Sequence, residues 1–325
     1  MLMNKVTIIM YHYVRDLAHS RYPEIKGLDA GLFKEQILYL KNHYSFITVE
    51  QLIDSHITGS KLPEKAVLLT FDDAYIDHFT TVFPILSENN IQGAFFPPVK
   101  AITEHIVLDV NKIHFILAAE SNKQKIITEI NQELARHRDE YSLQSNEYYY
   151  EKLAQPSRFD MAEVIFIKRL LQVELDEVLR KIITNHLFEK IVGIDEKSFS
   201  RELYMNTEQL KCMLRNGMHI GSHSFDHYWL NSLSYHKQKE EIGLSVDFLK
   251  SIGVDENYFT LCFPYGAYNE DTLRVMAEFN FKAGFSSKVD IAVCTEETIF
   301  HLPRLDTNDI PKSSHSEVNE WYAKG

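Results

Sequence analysis

Two aspartates stand side by side in Thr70-Phe71-Asp72-Asp73-Ala74-Tyr75, directly after an apolar run. Carboxylates this close resist joint ionisation. A bound cation removes that cost and lets the pair divide the labour, one as a ligand and the other handling a proton. An Asp-Asp turn capping the following helix accounts for the pair alone equally well. A second cluster is His219-Ile220-Gly221-Ser222-His223-Ser224-Phe225-Asp226-His227. The spacing of His223 and His227 lets two imidazoles converge on one ion. Two histidines and one carboxylate leave coordination positions open, the pattern of a catalytic site. A lone His pair at this spacing is also met by coincidence on surfaces, and the matching position of the Asp pair is what argues against coincidence. In the third cluster, Cys262-Phe263-Pro264-Tyr265-Gly266, Pro-Tyr-Gly by itself is a turn. In a hydrolase the same turn aims a backbone N–H at a developing oxyanion.

All three clusters follow runs that read as strands. Val6–Tyr11, Ala66–Phe71, Gly93–Phe96, Met218–Ser222, Phe259–Phe263 and Lys282–Phe285 are short and apolar. They alternate with helical patterns, which predicts parallel β/α architecture. Phe33, Ile37, Leu40 and Tyr44 share one helical face, and Thr48 with Gln51 forms a capping-box pattern. In a parallel α/β barrel the C-terminal strand ends open on one face, where distant clusters meet. Between about Glu104 and Ser200 strand signals give way to Lys/Glu-rich helical patterns. The expectation is a single α/β domain over residues 1–325, a distorted or incomplete (β/α) barrel carrying a helical insertion at 104–200. Tyr148-Tyr149-Tyr150, inside that insertion, read as packing residues rather than a sugar platform.

The three clusters, in this order, resemble the NodB-like polysaccharide deacetylases, whose motifs read T-F-D-D-G, H-S/T-x-x-H and R-x-P-Y-G. The resemblance covers roughly Val6–Phe96 and Tyr204–Arg304. It implies that Asp72 is the general base and that Asp73, His223 and His227 bind one divalent ion. It also implies that the Tyr265 N–H shares the oxyanion. Zinc is the default ion, and an Asp with two His also suits cobalt, nickel or iron. Ala74 replaces the family's glycine, and Cys262 takes the place of the motif arginine that steadies the aspartate. Arg304, in Pro303-Arg304-Leu305-Asp306, is either its substitute or a surface ion pair. The family's late acid-histidine motif is not recognisable, and His315 lies in a polar, Ser-rich tail. His12, ending the first run, is similar to the acid histidine of the poly-N-acetylglucosamine deacetylases, whose barrel order is permuted. Read alone, it is only a polar strand terminus.

The implied activity is metal-dependent removal of an N-acetyl group from an amino sugar. An O-acetyl esterase, a deformylase and a non-catalytic carbohydrate-binding relative are the alternatives. A net charge of −12 over 325 residues argues against a nucleic-acid partner. Three widely spaced cysteines carry neither a disulfide framework nor a zinc knuckle. No run reaches membrane-spanning length, and the N-terminal apolar stretch is too short for a secretory signal. These features predict a cytoplasmic protein, for which a nucleotide-linked or lipid-linked sugar or an oligosaccharide is the expected substrate.

Overall fold

Every residue from Ala66 to Asp72 is buried, so this strand must be covered on both faces. The computed structural model describes residues 4–156 and 160–325. Its strands are β1 (Asn4–Tyr11), β2 (Val14–Arg15), β3 (Leu28–Asp29), β4 (Ser45–Phe46), β5 (Ala66–Asp72), β6 (Gly93–Phe96), β7 (His219–Ile220), β8 (Thr260–Cys262), β9 (Ala283–Phe285), β10 (Ala292–Cys294) and β11 (Leu305–Asp306). The central sheet runs β10-β1-β5-β6-β7, with β11 also on β1 and β4 also on β5. All its pairings are parallel except β1 with β10. Beyond β7 the ladder breaks. Among the described residues, only single bridges, Ser222 to Leu261 and Phe285 to Leu302, link β7 to the β8–β9 pair and β9 onward. The barrel is therefore incomplete.

Local chemistry explains the supporting elements. Helix Ala30–His43 buries Phe33, Ile37 and Leu40 against the sheet, while Tyr44 lies just past its end as the C-cap. At the start of helix Val49–Thr58, Thr48 and Gln51 exchange side chain–backbone bonds at 3.1 and 2.9 Å. The predicted strand Met218–Ser222 shortens to His219–Ile220 because the chain leaves the ladder at Gly221. A Cβ there would lie 2.4 Å from both the Phe96 ring and Thr260 Oγ1, so only glycine permits the approach.

The chain forms two compact units, one of residues 1–16, 27–105 and 201–325, the other of residues 17–26 and 106–200. The first holds the sheet and all three sequence clusters. In the second, helices Asp109–Ala119, Lys123–His137, Ala162–Arg169 and Glu177–Leu187 surround an aromatic core. Phe115 meets Phe199 edge-on at 4.7 Å, and Tyr22, from the short segment, meets both rings. Within the tyrosine triplet, Tyr149 is buried and Tyr150 lies against Phe166 at 5.1 Å, while Tyr148 is exposed.

Candidate active site

The pairing of β1 with β5 puts Tyr11 opposite Phe71, so the chain leaves both strands at the same level. His12 and the Asp pair therefore emerge side by side. Asp73 and Ala74 turn through left-handed backbone at φ 71° and 54°. Ala74 thus adopts, at some cost, the conformation that a glycine would take freely. The turn separates the two carboxylates. Asp72 is fixed by Arg304, whose two terminal nitrogens donate to Oδ1 and Oδ2 at 2.9 and 2.8 Å. The same guanidinium also donates to Thr70 Oγ1 and to the Ser286 carbonyl. Burial opposes the charge on Asp72, yet Arg304, with His223 and His12 nearby, holds its pKa down to about 2. Arg304 is 1% exposed, so its pairing with Asp72 is buried and not a surface ion pair.

Asp73 faces the other way. Its Oδ2 accepts the Tyr75 hydroxyl at 2.6 Å. Its Oδ1 is buried, and among the described residues it accepts no hydrogen bond. That oxygen lies 3.5 Å from His223 Nε2 and 3.3 Å from His227 Nε2, and the two nitrogens are 3.2 Å apart. The His223 Nδ1–H donates to the Cys262 carbonyl at 2.8 Å, which turns the Nε2 lone pair toward Asp73. Burial, and then His227, push the His223 pKa down to about 4, favouring this neutral form. Three potential ligand atoms thus converge, and an ion held among them requires the Nε2 of both histidines to be free of protons. Around a four-coordinate cation with bonds of about 2.0–2.1 Å, neighbouring ligand atoms sit about 3.3 Å apart. The donor set and its spacing fit such an ion. Asp72, His223 and Cys262 also approach one another closely. They make a poorer set, since Arg304 engages both Asp72 oxygens and burial pushes the Cys262 thiol well above its ordinary pKa.

His12 brings its Nε2 to 3.9 Å from Asp72 Oδ2, and its side chain is 42% exposed against 2% for Asp72. An imidazole so placed can meet both the carboxylate and a bound substrate. Tyr265 takes left-handed backbone, φ 58°, and its ring lies 4.7 Å from the His227 ring and stacked 4.3 Å from Trp229. The following Gly266 has φ 69°, and a Cβ there would come within 2.0 Å of Ser287 Oγ. The structure thus gathers His12, Asp72, Asp73, His223, His227 and Tyr265 in one unit. Residue type and spacing give no role to Tyr75 or to the Cys262 carbonyl. Tyr75 was legible only as the end of the Asp motif, and a carbonyl acceptor leaves no mark in residue type.

A family model described as polysaccharide deacetylase matches residues 59–146 and 184–284, more than half of the chain. The poly-beta-1,6-N-acetyl-D-glucosamine N-deacetylase of Escherichia coli K12 is 39% identical over 85 residues, a stretch covering 26% of this chain and only 12% of that protein's length. Among solved structures, the Streptococcus pyogenes deacetylase PplD superposes with a TM-score of 0.58 at 19% identity, covering 95% of each chain. IcaB from Ammonifex degensii gives 0.55 at 18% identity, covering 94% of this chain and 93% of that one. These likenesses agree with the open parallel sheet described above.

Proposed function

Since this chain belongs to the polysaccharide deacetylase family, we propose that it removes an N-acyl group, acetyl in the first instance, from an amino sugar of a glycan or glycan precursor. The observation that carries the proposal is the convergence of Asp73 Oδ1, His223 Nε2 and His227 Nε2 beside an Asp72 that Arg304 keeps ionised. When bound by these three side chains, a divalent ion, zinc by default, supplies Lewis-acid charge that polarises the amide carbonyl and lowers the pKa of water. Asp72 accepts the proton of the attacking water as its oxygen joins the carbonyl carbon. The Tyr265 N–H serves the developing oxyanion. His12 delivers a proton to the nitrogen as the C–N bond breaks, because an amide nitrogen leaves poorly as an anion. The products are acetate and the free amino sugar. Sequence identity to the Escherichia coli enzyme supports N-acetylglucosamine oligomers as the first substrates to try.

The test is acetate release from N-acetylated and O-acetylated sugars side by side, across oligosaccharides, sugar nucleotides and lipid-linked sugars. N-acetyl substrates should be cleaved. Asp72→Asn should lose turnover by about a hundredfold or more, within the range for a general base, while keeping its ion. Turnover confined to O-acetyl sugars would overturn the amidase assignment, and an active Asp72→Asn would remove Asp72 from the reaction.

A further inference from the structure

His78 is a buried titratable side chain with no part in the chemistry above. It is fully buried, enclosed by the rings of Phe71, Tyr75 and Phe95 at 5.5–5.7 Å. An imidazole in such a place ordinarily satisfies both nitrogens. Here Nε2 lies 2.8 Å from the main-chain carbonyl of His12, whereas Nδ1 accepts no hydrogen bond among the described residues. A carbonyl only accepts, so Nε2 must carry the proton, and His78 is the neutral Nε2–H tautomer. Burial pushes its pKa down to about 4, in keeping with that form.

Two neighbouring contacts tie the same two stretches of chain together. Tyr13 stacks on Tyr75 with centroids 3.9 Å apart, and Arg15 Nε donates to Asp77 Oδ2 at 2.7 Å. His12–Arg15 is therefore fastened along Tyr75–His78, the turn that follows the Asp pair. Of these ties, the His78 bond alone ends on His12 itself. His78 also opens a wide π-helical turn, its carbonyl accepting from the Phe83 N–H. Such turns are rare and concentrate at functional sites.

We propose that His78 is a positioning residue: by donating Nε2–H to the His12 carbonyl, it sets where the His12 imidazole stands beside Asp72. This rests on His12 acting as the acid in the proposed reaction. His12 follows the end of β1 with its side chain 42% exposed, so the backbone that carries it helps decide where the imidazole stands. Misplacement of a reacting group by about 1 Å can cost on the order of a hundredfold in rate.

The experiment compares N-acetyl amide cleavage with hydrolysis of an activated aryl acetate, whose leaving group needs no proton. It uses His78→Phe, His78→Gln, His12→Ala and the double variant His78→Phe/His12→Ala. His78→Phe keeps an aromatic ring but has no donor. Its kcat on the amide should fall about tenfold to a hundredfold, with KM, bound metal and aryl acetate hydrolysis held. His78→Gln restores an N–H donor and should recover most of the loss. In the His12→Ala background His78→Phe should change nothing further, as expected of coupled residues. Full amide turnover in His78→Phe would overturn the assignment. So would parallel loss on both substrates with a lowered melting temperature, since that marks packing alone. If His12→Ala leaves the amide-to-ester ratio unchanged, the acid role of His12 fails, and the positioning role falls with it. If only His12→Ala shifts the ratio, the acid stands and His78 is structural.

Discussion

Asp73 presents two oxygens to two different tasks, and Tyr75 keeps them apart. The tyrosine hydroxyl bonds Oδ2, so Oδ1 is left to face His223 and His227. Outer partners of this kind typically carry about tenfold to a hundredfold in metal affinity. Tyr75→Phe should therefore weaken zinc binding by that factor in a competition titration, whereas Asp73→Ala should lose stoichiometric metal altogether. Unchanged affinity in Tyr75→Phe would mean that packing alone orients the carboxylate. Arg304 sets a second test. Removing one member of a buried pair costs about 3–5 kcal/mol, because the other charge is stranded. Arg304→Met should be destabilised by that order at neutral pH. Since the pair lowers the folded-state pKa of Asp72 to about 2, its stabilisation is present above the ordinary carboxylate pKa and fades as pH falls toward that value. Denaturant midpoints should then show the wild-type advantage shrinking between about pH 4 and pH 2. An advantage independent of pH would show that the arginine acts through packing.

Among the elements, left-handed turns at the strand ends do the placing. Ala74, Ser224, His227, Tyr265 and Gly266 all have φ between 54° and 69°. The strictest is Gly266, where both the conformation and the nearby Ser287 exclude a side chain. Gly266→Ala should cost about 1–3 kcal/mol and should lower turnover more than metal content, because it disturbs Tyr265 and not the ligands. Equal loss of metal and turnover would refute that separation. These turns also mark what the sequence discloses. The runs Ala66–Phe71 and Gly93–Phe96 are legible because strands buried on both faces are continuously apolar. Strands β2, β3, β4 and β11 have two residues each and carry no periodicity to read. The histidine and aspartate motifs could be found by residue type and spacing. Arg304 could be offered as a candidate but not placed, since its partner lies 232 residues away along the chain. His78 has no pattern at all, because its partner is a backbone carbonyl.

Taken as a whole, the molecule joins its proposed ion site to its stability. The candidate ligands come from the turn just after β5 and from the segment after β7, so an ion that binds only the folded chain should reinforce the sheet between them. At a free concentration one hundred times Kd, the gain is about 2.7 kcal/mol, enough to raise the melting temperature of a chain this long by roughly 4 °C. Calorimetry with zinc and then with a chelator should show this shift in the wild type and not in Asp73→Ala. A shift retained in that variant would place the ion elsewhere. Among the described residues no helix is long and apolar enough to cross a membrane.

The order of strands along the chain also sets a timetable. Strand β6 ends at Phe96, and β7, which pairs with it through Ala94–His219 and Phe95–Ile220, is made only after residues 106–200 of the second unit. At about 5–20 residues per second of synthesis, β6 waits on the order of 6–25 seconds for its neighbour, with an apolar strand edge open to any other chain. Asp72 waits longer still for Arg304. A ribosome stalled anywhere within that stretch therefore displays half a sheet whose acidic pair has neither its guanidinium nor its histidines.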